Sequence, residues 1–232
     1  MLAIQVLTEN ISKVLSNIEK AKKIAHRDDD IILVGASKTM PYELIEVIDR
    51  ENLLSHLGEN RAQELVDKYR DTQNLHWHFI GVLQTNKVKY IIDKVELIHS
   101  VDRVELIKEI NKQAKKHNKV MDILLQINMG REESKSGFYI EDIEEAILEC
   151  RNFQNIRVVG IMAVMPKVSK EQTIELYKVL GDKYENLKEK YSLKYLSAGM
   201  TNDYELAIIY AGSNIVRVGR AIFGERSEYG KI

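Results

Sequence analysis

The sequence predicts an α/β protein, a (β/α)8 barrel of the TIM type preceded by one extra helix. Three observations carry that expectation. Eight short apolar runs alternate along the chain with stretches of helical periodicity, the pattern of a parallel sheet with crossover helices. The clearest run, Ile31-Ile32-Leu33-Val34, is apolar without alternation and mostly β-branched, as a strand covered on both faces would be. Eight units in 232 residues suit a closed barrel, and no G-x-G-x-x-G follows the first strand to favour an open doubly wound sheet.

The elements follow in order. Residues 1–28 repeat apolar side chains at spacings of three and four (Ile4, Leu7, Ile11, Val14, Ile18, Ala21, Ala25), an amphipathic helix broken by Asp28-Asp29-Asp30. Strand 31–36 leads to helix 41–50, which Pro41 is suited to start. A short strand, 53–57, ends in Gly58-Glu59-Asn60 and passes to helix 61–70. Strand 75–80 closes at Gly81, helix 84–93 is brief, and strand 97–101 comes fourth. Asp102 with Glu105 resembles a capping box opening a helix to His117, and strand 121–128 is the most β-like run. A polar loop, 129–137, precedes helix 140–151 and strand 157–162. Ser169 with Gln172 forms a second capping box, opening a long helix whose buried stripe is Tyr177, Leu180, Tyr184, Leu187 and Tyr191. Strand 194–196, helix 203–211 stopped by Gly212, strand 215–218 and a last helix from Arg220 complete the set. No linker or composition shift divides the chain, so residues 1–232 are expected to form a single domain.

Composition narrows the function classes. Hydrophobic content of 44% and charged content of 30% are those of a soluble globular protein. A net charge of -1 gives no reason to expect nucleic acid or an acidic membrane surface as partner. No apolar run approaches the ~20 residues that span a bilayer, and the N-terminus lacks a signal-peptide pattern, so a cytoplasmic setting is expected. The one cysteine, Cys150, lies on the apolar side of its helix with Ile143, Ala146 and Ile147, and reads as core.

Chemistry is expected at the carboxyl ends of the strands. Lys38 stands just past the first strand, where its amine faces the barrel mouth. A lone lysine at such a place usually snorkels to solvent; the far end of the chain sets this one apart. Ser197 to Thr201 and Arg217 to Arg220 close strands seven and eight, where barrels often hold a phosphate on backbone N–H groups. Ser197 and Thr201 offer hydroxyls there, and Gly219 permits close backbone approach. Arg217 interrupts an apolar strand, so its buried guanidinium needs a partner, supplied either by a carboxylate in the barrel or by a ligand. His76 and His78 share one side of a strand, but no spacing supplies further metal ligands. The loop with Glu132, Glu133 and Lys135 reads as solvated surface on the ligand side.

These residues together resemble a known family. Val34-Gly35-Ala36-Ser37-Lys38-Thr39, Gly58-Glu59-Asn60 with Gln63-Glu64, and Trp77-His78-Phe79-Ile80-Gly81 with Leu83-Gln84 are similar to motifs of pyridoxal phosphate homeostasis proteins. So are Ser134-Lys135-Ser136-Gly137, Gly160-Ile161-Met162, the stretch from Leu196 to Asp203, and Val216-Arg217-Val218-Gly219 with Ala221-Ile222-Phe223-Gly224. The resemblance implies a fold-type III barrel like that of alanine racemases, holding pyridoxal 5'-phosphate (PLP) as a Schiff base on Lys38. It implies Ser197, Thr201, Gly219 and Arg220 around the phosphate and Arg217 against the pyridine nitrogen, with Asn60, His78 and Met162 lining the pocket. Two positions depart from the family pattern: Arg220 stands where a small hydroxyl residue is commoner, and Ala198 where methionine is commoner.

The function so implied is a PLP carrier or buffer in intracellular PLP homeostasis with little or no catalysis. PLP-dependent apo-enzymes are the candidate recipients, and the chain is expected to be a monomer or weak dimer. Two alternatives are a PLP-dependent amino-acid racemase and, more remotely, a phosphosugar-processing barrel in which Lys38 attacks a carbonyl. Racemases similar to this barrel add a second domain that supplies an acid–base group; the chain ends at Ile232, soon after its last predicted strand, which favours the carrier.

Overall fold

The computed structural model describes residues 2–69, 74–132 and 135–224. Its strands are β1 (Ile32–Ala36), β2 (His56–Glu59), β3 (His76–Phe79), β4 (Leu97–Val101), β5 (Met121–Ile127), β6 (Ile156–Ala163), β7 (Tyr195–Ser197) and β8 (Ile215–Val218). Each pairs in parallel with the next, and β8 pairs with β1, so the sheet closes into the expected eight-stranded barrel. Between the strands run α2 (Tyr42–Arg50), α3 (Ala62–Lys68), α4 (Val88–Ile91), α5 (Val104–Lys116), α6 (Ile143–Cys150), α7 (Lys170–Tyr191) and α8 (Tyr204–Ala211), with α9 (Arg220–Phe223) after β8. The extra helix, α1 (Leu2–Ile24), precedes β1 and packs across the end of the chain: Asn17 Nδ2 donates to Tyr204 Oη at 3.2 Å and Asn10 Nδ2 to the Ile222 carbonyl at 3.0 Å.

Local chemistry accounts for several element ends. Ser169 Oγ accepts from the Gln172 N–H at 3.2 Å while Gln172 Oε1 accepts from the Ser169 N–H at 3.1 Å, the reciprocal cap that starts α7. Gly212, at φ 71°, stops α8. Gly160 is required by close approach: a Cβ there would sit 1.9 Å from the Tyr195 carbonyl oxygen on the neighbouring strand.

Three expectations are corrected. The second strand is His56–Glu59 and not 53–57. Leu53 bonds back to the Ile48 carbonyl at 3.0 Å as part of the exit from α2, while polar His56 and Glu59 lie in the sheet because barrel geometry brings them partners. Asp102 does not cap α5; Arg103 is the N-cap, no side chain bonds the helix start, and the Asp102 carboxylate pairs with the Arg103 guanidinium. Helix 1–28 ends at Ile24, after which Arg27 pairs with Asp29 at 2.6 Å and donates to the Ser213 carbonyl. Arg70, Glu133 and Ser134, which the sequence reading placed in a helix, a polar loop and a family motif, lie outside the described residues, as do 225–232.

The core has two parts. The larger lies between strands and helices and includes Trp77, Phe79, Tyr177, Tyr184 and Phe223; burial of such side chains stabilises by ~25 cal/mol per Å² of apolar area. The smaller fills the barrel interior with Val34, Leu97, Leu124, Val159, Met162 and Ile215. In a parallel ladder, residues in register share a face. Val34 is in register with His56 and Arg217, His56 with His76, and Leu97 with His78. The interior therefore also carries a file of polar side chains, completed by His99 and Ser197, each two residues beyond an inward-facing neighbour.

Candidate functional site

The carboxyl ends of β1, β2, β7 and β8 bring together Lys38, Asn60, Thr201, Gly219 and Arg220, because the Val34–Arg217 register sets Lys38 beside the loop after β8. Lys38 is half-buried, and its amine makes no hydrogen bond or ion pair among the described residues. Its backbone is held tightly. Ser37 N–H donates to the Gly58 carbonyl at 3.1 Å, and the Met40 N–H to the Ser37 carbonyl at 3.0 Å. Thr39 adopts a left-handed φ of 65°, uncommon for a β-branched residue, and its N–H donates to Glu64 Oε2 at 2.7 Å.

Beneath this turn lies a pair that sequence reasoning missed. Lys68 Nζ donates to Glu59 Oε1 and to the Ser37 carbonyl, both at 2.8 Å, and Ser37 Oγ donates to the same carboxylate oxygen at 2.7 Å. Glu59 is fully buried and Lys68 nearly so. Burial pushes the Glu59 carboxyl up from its ordinary value, opposed by the neighbouring Lys68 ammonium. Lys68 looks in sequence like half of a surface pair with Glu64, four residues earlier; only the fold reveals its closer partner nine residues away.

Arg217 is buried in the barrel and pairs with no carboxylate among the described residues. Nη1 donates to the Ser197 carbonyl at 2.8 Å and to Ser197 Oγ at 2.6 Å, and Nη2 to the Ala163 carbonyl at 2.9 Å. These partners leave Nε–H without an acceptor among the described residues. Burial lowers the guanidinium to about 10, partly offset by Tyr177 and Asp203. Met162 packs in the interior cluster, in register with Ser197. His78 is buried between His56 and His99, bonded to both.

The loops after β7 and β8 meet. Gly219 N–H donates to Thr201 Oγ1 at 3.3 Å, and Arg220 Nη2 donates to Asn202 Oδ1 at 3.3 Å. Asp203 shapes the first loop, accepting from the Met200 N–H and from Tyr177 Oη, each at 2.7 Å. Gly219 has a negative φ, and a Cβ on it would meet only Ala36 at ordinary contact distances, so the protein's own packing does not demand glycine there. Ser197 makes no hydrogen bond to Thr201, Gly219 or Arg220 among the described residues. It is fully buried, and its hydroxyl is engaged by Arg217 and by His99 Nδ1 at 2.9 Å, because β7 turns it into the barrel in register with Met162 and Ile215. Asn60 Oδ1, at the end of β2, is buried without a hydrogen-bond partner among the described residues. A buried polar atom left unsatisfied is costly unless a ligand or water completes it.

A closed parallel barrel with an unpaired lysine after β1 and a glycine-lined cradle after β8 defines a class, the alanine racemase N-terminal barrel; residues 10–227 match the family described as alanine racemase, N-terminal domain. Within it, the chain belongs to the pyridoxal phosphate homeostasis protein family. It is 42% identical over 224 residues to the pyridoxal phosphate homeostasis protein of Aquifex aeolicus (strain VF5), covering 94% of this chain and 97% of that one. It is 34% identical over 234 residues to the protein of that name from Escherichia coli (strain K12), covering 97% and 98%. Among solved structures, PipY of Synechococcus elongatus PCC7942, determined with PLP bound, superposes with a TM-score of 0.79 at 25% identity over 94% of this chain and 100% of that chain. Alanine racemase of Clostridium difficile 630, in complex with cycloserine, shares the fold with a TM-score of 0.70 at 20% identity, over 94% of this chain and 60% of the racemase.

Proposed function

We propose that this protein binds pyridoxal 5'-phosphate at the carboxyl mouth of its barrel and holds it reversibly, acting in PLP homeostasis as a carrier and not as an efficient enzyme. The observation that carries the reading is the juxtaposition of an unpaired Lys38 amine with the Thr201–Gly219 cradle across the β1–β8 seam. Support comes from relatives named for PLP homeostasis and matched over 97% or more of their length, and from a structural neighbour determined with PLP.

The residues present suit this cofactor. Lys38 offers the primary amine to which an aldehyde bonds. Thr201 Oγ1, the Arg220 N–H and the Arg220 guanidinium offer donors to a phosphate, for the first N–H groups of a helix have no intrahelical acceptor, and the Gly219 N–H would join them on exchanging its 3.3 Å bond to Thr201 Oγ1. Asn60 Oδ1 is an acceptor awaiting a donor, and Met162 offers apolar surface. We assign Ser197 the role of bracing Arg217, and His78 that of supporting this brace through His99. Bound PLP supplies an aldehyde that condenses with amines and a ring that accepts charge. Arg217 can only donate, so beside the ring nitrogen it would offer a hydrogen bond to that nitrogen and disfavour a proton there, which would weaken the ring as an electron sink.

We read residues 1–232 as one cofactor-binding domain, monomeric or weakly dimeric, serving PLP-dependent apo-enzymes in the cytoplasm. No helix of the described residues is long and apolar enough to cross a membrane. The test is borohydride reduction of PLP-loaded protein followed by peptide mapping. Cofactor is expected on the peptide containing Lys38; label on another lysine, or undiminished label in Lys38→Ala, sinks the assignment.

A further inference from the structure

A hydrogen-bonded file of side chains crosses the barrel interior from the carboxyl ends of the strands toward their amino ends. Arg217 Nη1 lies 2.6 Å from Ser197 Oγ, which lies 2.9 Å from His99 Nδ1. His99 Nε2 lies 2.8 Å from His78 Nδ1, and His78 Nε2 lies 3.0 Å from His56 Nδ1. All are buried except His56, which is half-buried at the amino-terminal end of β2.

Hydrogen-bond capacity gives the file a direction. The guanidinium has no acceptor, so Ser197 Oγ accepts from it. The Ser197 hydroxyl hydrogen then needs an acceptor, and His99 Nδ1 is the one in reach among the described residues. With Nδ1 occupied as acceptor, neutral His99 carries its hydrogen on Nε2 and donates to His78 Nδ1; His78 then donates from Nε2 to His56 Nδ1. The opposite direction strands the buried Ser197 hydroxyl hydrogen without a partner. Burial lowers His78 to about 3 and His99 well below the usual imidazole value, in keeping with neutral rings throughout the interior.

We propose that this file is a proton-linked relay: protonation of His56 reverses every hydrogen bond between it and Ser197, and thereby alters how Arg217 is held at the opposite face. A protonated His56 carries hydrogen on both nitrogens, so its Nδ1–H faces the Nε2–H of His78, and one of the two must give way. The reversal takes up one proton from water. Along the file the His78 Nε2–H passes to His56 Nδ1, the His99 Nε2–H to His78 Nδ1 and the Ser197 O–H to His99 Nδ1. The proton taken up restores the Ser197 O–H, which turns away from His99 and is then without an acceptor among the described residues. That cost is set against two N–H groups facing each other at His56. Ser197 Oγ then accepts from both His99 and Arg217.

The surroundings of His56 let it act as the trigger. His76 on β3 stacks on it at 4.8 Å between ring centres, and Glu96, just before β4, lies 2.6 Å from His76 Nδ1. Asp122 on β5 and Arg157 on β6 pair with each other at 2.6 Å, β7 contributes Tyr195, and β1 and β8 contribute the apolar Ile32 and Ile215. Burial lowers His56 below the usual imidazole value and His76 lowers it further, while Glu96 opposes both.

The relay is independent of the cofactor reading, and its test uses the full chain without added ligand. Long-range 1H–15N spectra of the 15N-labelled protein separate protonated from bare imidazole nitrogens at each ring. At pH above the imidazole range, His78 and His99 are expected to carry hydrogen on Nε2. As His56 titrates, the His99 hydrogen should transfer to Nδ1 with the same midpoint. In His56→Gln the side-chain carbonyl still accepts from His78 but takes no proton, so His99 should keep one tautomer throughout. A His99 that holds its tautomer while wild-type His56 titrates overturns the relay. So does Nδ1–H on His99 at high pH, or a switch that persists in His56→Gln.

Discussion

The Lys68 ammonium sits 2.8 Å from the Glu59 carboxylate and 2.8 Å from the Ser37 carbonyl, so one buried cation ties the end of β2 to the turn that presents Lys38. Two charges removed from water gain little over an apolar pair, but breaking the pair leaves one of them uncompensated.

That asymmetry sets the first prediction. Lys68→Ala should cost about 3–5 kcal/mol in denaturant unfolding, because Glu59 is left buried and unpaired. The double variant Glu59→Gln/Lys68→Met should recover most of that loss yet weaken PLP binding by freeing the Ser37–Lys38 turn. A single variant within about 0.5 kcal/mol of wild type would show that the pair does not support the fold.

Gly219 and Gly160 should separate binding from folding. A Cβ on Gly219 meets only Ala36, at 3.4 Å, so Gly219→Ala should change stability by no more than about 1 kcal/mol. If phosphate sits against the Gly219 backbone, the added methyl should crowd it away from the N–H and reduce PLP affinity roughly tenfold or more, about the contribution of one charge-assisted hydrogen bond. Gly160→Ala, with 1.9 Å of clearance to a backbone oxygen, should fail to fold stably. Unchanged PLP affinity in Gly219→Ala argues against the cradle.

Acid should unfold this protein through its interior histidines. In the folded state His78 stays neutral down to about 3 and His99 well below its usual value near 6.5, whereas in the unfolded chain both take protons near 6.5. The unfolded state therefore binds more protons within that window. Stability is complete above 6.5 and falls with pH by about 1.4 kcal/mol per unit for each such ring. His78→Gln and His99→Gln should each flatten the measured slope of unfolding free energy against pH by about one proton. Slopes identical to wild type would mean that these rings are not held neutral.

Amino-acid turnover should be negligible. Racemisation needs an acid or base on each face of the substrate α-carbon, and Arg217, placed against the ring nitrogen as proposed, would weaken the electron sink. Incubation of PLP-loaded protein with L-alanine in deuterated water should yield no D-enantiomer at a useful rate. A turnover above about 1 per second would favour the racemase over the carrier.

Much of this was legible in the sequence because it depends on local patterns. Uninterrupted β-branched runs, the Ser169–Gln172 cap and Gly212 each act through neighbours within a few residues, and the structure places those elements as their periodicity predicts. Lys38, Thr201 and Gly219 were found at strand ends because parallel strands in a barrel expose one common end. The second strand was misplaced because apolar content marked Leu53-Leu54, while the true strand is half polar and His56 points inward.

The sequence by itself determined the alternation of strands and helices, the family motifs and the polar residues at the strand ends. Only the tertiary structure decided what each buried polar group touches. Ser197 faces Arg217 and His99 and makes no bond to Thr201 or Gly219; Lys68 finds Glu59; three histidines from three strands line up in single file. The reason is closure. Strand tilt and register in a barrel set which side chains meet across the interior, and contacts between residues 20 to 100 positions apart leave no periodic trace along the chain.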